Sequence, residues 1–154
     1  MVTENANPWE YGPYIQVAAF CDRVLQEGDG VLSLIRVVDV ITHTVAGQGT
    51  PEEMPPVTYP LNLVLTLKAG RARGRHELTI TPELPSGEAL PPVTASVRFE
   101  GEGRGTNVIS KIQMEFRFEG LYWFNIRLDN RILTRLPLEV RYARMSLGGP
   151  PAPL

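Results

Sequence analysis

One cysteine and two histidines are the residues of this chain that could act as a nucleophile or as a general base. Cys21 could serve as the nucleophile, His43 or His76 as the base, and a nearby aspartate as the group that orients the base. Cys21 lies within an apolar stretch, however, where a free cysteine usually behaves as a small buried hydrophobe. No cationic cluster adjoins it to lower the pKa of its thiol. The sequence therefore predicts no catalytic residue and no single site that joins these three side chains.

Metal and cofactor sites have equally weak signals. The two histidines belong to no close His-x-His or Cys-x-x-Cys pair of the kind that binds a metal. The glycine-rich stretch 101–105 (GEGRG) precedes a predicted strand and lacks the helix and lysine of a phosphate-binding loop, so we interpret it as a hairpin tip. The aspartates at turns and strand ends stand singly, without the acidic spacing of a calcium loop; they are Asp22, Asp29, Asp39 and Asp129. We therefore expect no metal and no cofactor.

The charge balance argues against nucleic-acid and membrane partners. Lys and Arg number 15 and Asp and Glu number 17, which gives a net charge of −2 and no field that attracts anionic surfaces. The basic cluster over residues 68–76 lacks interleaved aromatic side chains, so a solvated turn is favoured over a phosphate-binding loop. A single cysteine and the absence of an apolar leader in the opening residues predict a cytoplasmic protein.

The elements that must position any site are strands. Residues 14–21 form an apolar stretch, and apolar and polar residues alternate at period two over 61–67, 78–80, 93–99, 122–128 and 132–140, which predicts strands in these segments. Residues 111–119 alternate most cleanly and predict one further strand with its even-numbered residues facing the core. Residues 31–41 are apolar on both pleat faces, which predicts a central strand covered on both sides.

The last two predicted strands also predict their own register. The even-numbered residues of 122–128 share one apolar face, and they match the apolar face of the final strand only if Leu128 lies opposite Ile132. This predicts a three-residue loop over 129–131 in place of a two-residue Asp-Asn turn. Pro137 cannot donate a ladder hydrogen bond, so we expect either an edge strand or a Pro137 nitrogen that faces outward.

Together these segments predict an all-β fold, an antiparallel two-sheet β-sandwich of immunoglobulin-like type with about eight strands. The predicted organisation is an N-terminal arm over 1–13, the sandwich domain over 14–144 and a disordered Gly/Pro-rich tail over 145–154. The loop 46–60 is long and contains four prolines. A loop of this kind binds a partner, packs on the domain or is disordered, and the sequence favours the last two.

Two resemblances support the fold. Residues 120–124 (GLYWF) resemble the tyrosine corner of immunoglobulin-like domains, in which a tyrosine hydroxyl ties back to nearby backbone, although Phe124 stands where antibody domains carry a cysteine. More widely, residues 19–24 (AFCDRV), 30–39 (GVLSLIRVVD) and 136–140 (LPLEV) are similar to DUF6941, a family of small bacterial proteins of unknown function. That resemblance implies a β-sandwich and a bacterial source, and it assigns no activity to any residue.

The pattern favours a small non-enzymatic protein-binding or accessory module that contacts another protein or a second copy of itself. On the register above, the outward face of the late strands carries a mixed aromatic and cationic patch; its members are Leu121, Trp123, Arg127, Leu133 and Arg135. Alternatively, the proline-rich loop or the segment Trp9-Glu-Tyr11 covers Trp123. The other class of function is a small hydrolase-like or ligand-binding enzyme domain with its site in the loops at one end of the sandwich, which would require convergent polar groups in a concave site.

Overall fold

The computed structural model describes residues 11–101 and 105–146, and these residues form eleven strands. In chain order the strands are β1 (Tyr14–Gln26), β2 (Leu32–Val38), β3 (Val40–Ala46), β4 (Val57–Thr58), β5 (Leu61–Lys68), β6 (Gly74–Glu83), β7 (Val93–Phe99), β8 (Thr106–Ile112), β9 (Glu115–Phe116), β10 (Gly120–Leu128) and β11 (Arg131–Met145). Most of the predicted arm and tail, and the middle of the predicted hairpin tip 101–105, lie outside the described residues. Within the described part of the chain, no helix is long and apolar enough to cross a membrane.

Most of the strands belong to two sheets that enclose the core. One sheet has four strands in the order β2-β1-β5-β8, and the other has five in the order β3-β11-β10-β6-β7. β4 and β9 form a two-residue ladder of their own. The prediction of an all-β, immunoglobulin-like two-sheet sandwich is confirmed. One detail of it is wrong, because β3 runs parallel to β11 and the five-stranded sheet is therefore mixed.

The core lies between the inward faces of the two sheets. The alternate leucines of β5, from Leu61 to Leu67, are buried in it, as are the even-numbered residues of β10 from Tyr122 to Leu128. Phe20 of β1 meets Phe124 of β10 edge to face, with ring centroids 4.8 Å apart. The predicted alternation in β5 and β10 is thus confirmed, and it fixes the odd-numbered side chains of β10 on the outward face.

The predicted central strand over 31–41 is wrong. The segment divides at Asp39 into β2, at the edge of the four-stranded sheet, and β3, at the edge of the five-stranded sheet. Val38 at the end of β2 packs against the core from the four-stranded sheet, and Ile41 of β3 is buried beneath the five-stranded sheet. The side chains that face the core are therefore even-numbered at the end of β2 and odd-numbered at the start of β3. Because the core-facing position shifts by one residue where the chain passes from one sheet to the other, neighbouring residues are apolar there. Neither β2 nor β3 is covered on both faces.

The predicted strand over 111–119 is also wrong. β8 begins earlier and ends at Ile112, and β9 pairs with β4 of the proline-rich loop instead of continuing the four-stranded sheet. Phe118, predicted to face the core, is 55% exposed. The loop itself packs on the domain, since Met54 is buried in the core and the carbonyl oxygen of Pro51 accepts a hydrogen bond from the Tyr142 hydroxyl at 2.8 Å.

β10 and β11 form a hairpin whose tip differs from the predicted one. Leu128 pairs with Arg131, so the turn contains only Asp129 and Asn130, with φ of 48° and 66°. Positive φ at both central residues is the type I′ geometry, which matches the twist of the flanking strands. The predicted three-residue loop is therefore wrong.

A β-bulge restores the predicted pairing beyond this turn. Ile126 pairs with Thr134 while Arg127 pairs with Ile132, which leaves Leu133 as the extra residue of β11. From Ile126 back to the start of β10, the two strands pair in the register that the apolar faces predict. The apolar faces of β10 and β11 are thus aligned by a bulge within β11 and not by a longer loop.

The Pro137 nitrogen faces outward from the β10–β11 ladder, as predicted for a proline within a paired strand. The backbone N–H of Glu139 donates to the carbonyl oxygen of Asp39, so this side of β11 faces β3. Pro137 lies two residues earlier, and its nitrogen faces the same side before the pairing with β3 begins at Val40. The missing donor therefore interrupts no ladder.

The tyrosine corner is present. Tyr122 is fully buried, and its hydroxyl donates to the carbonyl oxygen of Phe118 at 2.8 Å and accepts from the N–H of Phe118 at 3.1 Å. Burial raises the pKa of this hydroxyl, while hydrogen bonding to the Phe118 and Arg117 backbone acts in the opposite direction. The side chain thereby fixes the turn from which β10 begins.

Candidate binding surface

Trp123 lies near the centre of the outward face of the five-stranded sheet. β10 is bordered there by β11 and β6, with Pro137 and Glu83 as the residues directly opposite Trp123. The indole is half-buried, and the guanidinium carbon of Arg135 lies 4.5 Å from its ring centroid. At this distance the cation is attracted to the π face of the ring.

Polar contacts hold the Arg135 guanidinium in this position. Its Nε donates to Asn125 Oδ1 at 2.7 Å, and its Nη2 lies 3.6 Å from Glu83 Oε2. Asn125 Nδ2 in turn donates to Glu83 Oε2 at 3.2 Å. We call Trp123, Arg135, Asn125 and Glu83 the Trp123 cluster. Because its members bond to one another across three strands, the aromatic and cationic side chains are ordered without a partner.

The structure brings together part of the predicted interaction patch. Trp123 and Arg135 are in contact, and Leu121 and Arg127 are exposed on either side of Trp123 along β10. Leu133 does not belong to this surface, because it is half-buried and packs against the core. Its predicted outward direction is wrong, and the cause is the bulge, which displaces Leu133 from the regular alternation of β11.

Glu83 belongs to the cluster but is not among the residues predicted for the interaction patch. Extending the alternation of Leu78 and Ile80 by one step would have placed Thr81 and Glu83 on the outward face of β6. That signal does not reveal that β6 pairs with β10, with Glu83 directly opposite Trp123. Period-two patterning reports the face of a residue and not the neighbouring strand.

The three residues considered for catalysis have separate surroundings. Cys21 is fully buried in β1, and His43 in β3 stacks on Tyr142 with ring centroids 6.2 Å apart. His76 in β6 packs edge to face on Phe99 at 5.3 Å. Across residues 11–101 and 105–146, no three His, Cys, Asp or Glu side chains are grouped to hold a metal ion.

His76 and Asp129 form a pair at the tip of the β10–β11 hairpin. His76 Nδ1 lies 2.5 Å from Asp129 Oδ2, and its Nε2 lies 3.0 Å from the carbonyl oxygen of Arg73. The N–H of Glu77 donates to Asp129 Oδ1, and this bond, followed by that from His76, lowers the pKa of the carboxyl. A carbonyl oxygen and a carboxylate are hydrogen-bond acceptors, and each ring nitrogen of His76 lies within hydrogen-bond distance of one of them. The pair ties the hairpin to β6, and both ring nitrogens of His76 are engaged with groups of the protein itself.

The Cys21 thiol should be unreactive in the folded protein. Burial raises its pKa, the Asp22 carboxylate raises it further, and a hydrogen bond with the Arg23 backbone acts in the opposite direction. We expect Ellman's reagent to react with the native protein at less than about one hundredth of its rate in guanidinium chloride. A Cys21→Ser variant supplies the blank. A native rate close to the denatured rate would mean that the thiol is accessible.

An apolar cleft opens where the two sheets present neighbouring edges. β7 is the last strand of the five-stranded sheet and β8 is the last strand of the four-stranded sheet. The cleft between them has a volume of about 300 Å³. Its lining is mostly apolar and consists of Ile80, Pro82, Leu90, Pro91, Val93, Ser110, Lys111, Ile112, Gln113, Met114 and Phe124.

Several solved structures share features of this fold. One is the alkylpurine DNA glycosylase AlkC of Pseudomonas fluorescens, bound to DNA containing an abasic site analog, with a TM-score of 0.52 and 11% sequence identity. The superposition covers 84% of this chain and 30% of the glycosylase chain. An immunoglobulin-like protein of Pseudomonas aeruginosa has a TM-score of 0.43 and 12% identity, over 86% of this chain and 98% of that chain. The CARDB domain of a Pyrococcus furiosus protein, in complex with di-metal ions, has a TM-score of 0.42 and 11% sequence identity, and the superposition covers 88% of this chain and 99% of that chain. This chain spans less than a third of the glycosylase, and the likeness concerns the fold alone.

Comparison at the level of sequence identifies the family. Among curated proteins, none matches the chain. The model of a family of unknown function, DUF6941, matches residues 16–141, a range that begins in β1 and ends in β11. The match therefore takes in strands of both sheets together with the segments on which the resemblance rests. This protein belongs to DUF6941.

Proposed function

We propose that this protein is a non-enzymatic protein-binding module that contacts its partner through the outward face of the five-stranded sheet, around the Trp123 cluster. The observation that carries the proposal is the Arg135 guanidinium, held 4.5 Å above the Trp123 ring centroid by Asn125 and Glu83. Trp and Arg are among the residues that most often dominate binding energy at protein interfaces. Side chains ordered before contact lose less conformational entropy on binding.

The surroundings of the cluster suit a protein partner. Leu121, 42% exposed, adds apolar surface at one end of the β10 row, and Arg127 adds an exposed cation at the other. The row follows the centre of the sheet, so a partner can cover the cluster from both sides and exclude water from it. Aromatic residues and arginine are enriched at protein interfaces.

Two features favour binding over the hydrolase-like alternative. The Cys21 thiol is buried, and both ring nitrogens of His76 are engaged with acceptor groups of the protein itself. The proposal includes a cytoplasmic location, which agrees with one cysteine in the chain, and a partner that is not nucleic acid, which agrees with the net charge of −2.

Affinity capture from a lysate of the source organism, followed by a binding measurement, tests this function. The immobilised wild type should retain a protein that the Trp123→Ala variant loses. The Arg141→Ala variant is the matched control, because Arg141 lies on the same strand as Arg135 and, among the described residues, its guanidinium bonds to the Glu139 carboxylate alone. With the captured protein purified, Trp123→Ala should weaken its Kd by about 30-fold, the effect of losing a residue that dominates an interface.

The proposal fails if every captured protein binds the wild type and Trp123→Ala equally well. It also fails if the Arg141→Ala control loses the same protein to the same extent as Trp123→Ala. In that case the loss reflects a general perturbation of the sheet surface and not removal of the indole.

A further inference from the structure

The edge of the sandwich at β7 has features that the Trp123 cluster does not explain. We propose that β7 and the apolar cleft beside it form a second binding site, which takes an extended acidic segment of another protein as an added strand. One apolar side chain of the segment enters the cleft at Val93, and an acidic side chain five positions away faces Arg98. This site goes beyond the proposed function and lies on different residues.

The first support is an edge strand without the usual protection. Within the described residues β7 pairs only with β6, in a continuous register that contains no bulge. Charges, prolines and bulges commonly protect such edges. From Val93 to Val97, β7 contains no charged residue and no proline. Its outer backbone N–H and C=O groups are thus available to pair with a strand of another chain.

The second support is the apolar cleft at the start of this edge. Val93 is 55% exposed, whereas Ile80 and Phe124, which also line the cleft, are buried. The exposed Val93 side chain shares the inward face of β7 with the buried Val97. A residue of an added strand that lies opposite Val93 therefore points its side chain towards the cleft.

The third support is charge, and it defines the segment. Arg98 lies on the outward face directly opposite Arg75 of β6, and like charges in this position repel. Both side chains are exposed, and neither forms an ion pair with a described residue. A carboxylate on an added strand opposite Arg98 would neutralise this pair of cations.

The strand geometry joins these features into one pattern. Val93 and Arg98 are five positions apart and point to opposite faces of β7. A pairing strand therefore needs an apolar residue and an acidic residue at the same spacing, because side chains alternate between faces at each position. A second copy of this chain does not supply this pattern through its own β7, whose one charged residue is Arg98.

A display library of random twelve-residue peptides is the probe for this site. Peptides enriched on the wild type should carry a large apolar residue and Asp or Glu five positions apart, in one chain direction or the other. Selection on an Arg98→Glu variant should replace the acidic residue with Lys or Arg. An enriched acidic peptide should bind Arg98→Glu about tenfold more weakly than the wild type, since attraction is exchanged for repulsion.

Hydrogen exchange identifies the mode of binding. The peptide should slow exchange at alternate amides of residues 93–98, while the amides of the β2 edge remain unchanged. Trp123→Ala should bind the peptide as tightly as the wild type does, so failure of one site leaves the other testable. The proposal is overturned if enriched peptides lack the acidic residue, if Arg98→Glu selects the same peptides, or if sedimentation shows that a second copy of the chain already covers β7.

Discussion

Replacing Phe124 with alanine should lower the free energy of unfolding by about 3–5 kcal/mol, the usual cost of truncating a buried aromatic side chain. Phe124 is fully buried, and its ring packs edge to face on Phe20 of the opposite sheet, with centroids 4.8 Å apart. The substitution removes this contact and leaves a cavity between the sheets. Urea denaturation followed by circular dichroism measures the change, provided that the strand spectrum of the variant is preserved.

Phe118→Ala is the matched control for this prediction. The Phe118 ring is 55% exposed, and its contribution to the tyrosine corner comes from backbone atoms that alanine retains. We expect this variant to lose less than about 1 kcal/mol, as is usual for exposed positions. Equal losses from the two variants would contradict the assignment of Phe124 to the core and of Phe118 to the surface.

Both phenylalanines show what period-two patterning does and does not predict. The alternation around Phe124 correctly assigns its face, because β10 pairs on both sides and one face meets the core along its length. The alternation around Phe118 is equally regular, yet the chain has left the four-stranded sheet after Ile112. Patterning is local, whereas burial depends on the sheet against which a residue packs.

The remaining errors have the same physical origin. The division at Asp39 and the bulge at Leu133 are changes in strand partner or register, and neither alters the apolar composition from which strands are predicted. The apolar faces correctly predict the pairing of β10 with β11, but a longer loop and a bulge satisfy them equally well. The two positive φ angles at Asp129 and Asn130 show that the chain uses the tight turn.

The candidate binding surface was predictable in part for the same reason. Trp123 and Arg135 lie on neighbouring strands of one hairpin, so their register and shared face follow from the sequence. Glu83 reaches the cluster from β6, and the pairing of β6 with β10 joins segments distant in the chain. The cleft beside β7 depends on two strands from different sheets. Contacts of this kind require the topology.

Replacing Tyr122 with phenylalanine should lower the free energy of unfolding by about 1–3 kcal/mol, since it deprives two partly buried backbone groups of their hydrogen-bond partner. The substitution keeps the ring and its edge-to-face contact with Phe116, at 5.2 Å between centroids. It removes the hydroxyl that both donates to the Phe118 carbonyl oxygen and accepts from the Phe118 N–H. The melting temperature should fall by about 2–4 °C for each kcal/mol lost.

Tyr142→Phe separates the corner from the general effect of losing a tyrosine hydroxyl. The Tyr142 hydroxyl donates one hydrogen bond, to the carbonyl oxygen of Pro51 at 2.8 Å, and this oxygen can bond to water once the hydroxyl is gone. We expect Tyr142→Phe to cost less than about 1 kcal/mol. If Tyr122→Phe were no more destabilising than Tyr142→Phe, the hydroxyl of Tyr122 would not be what fixes the turn before β10, and ring packing alone would have to account for it.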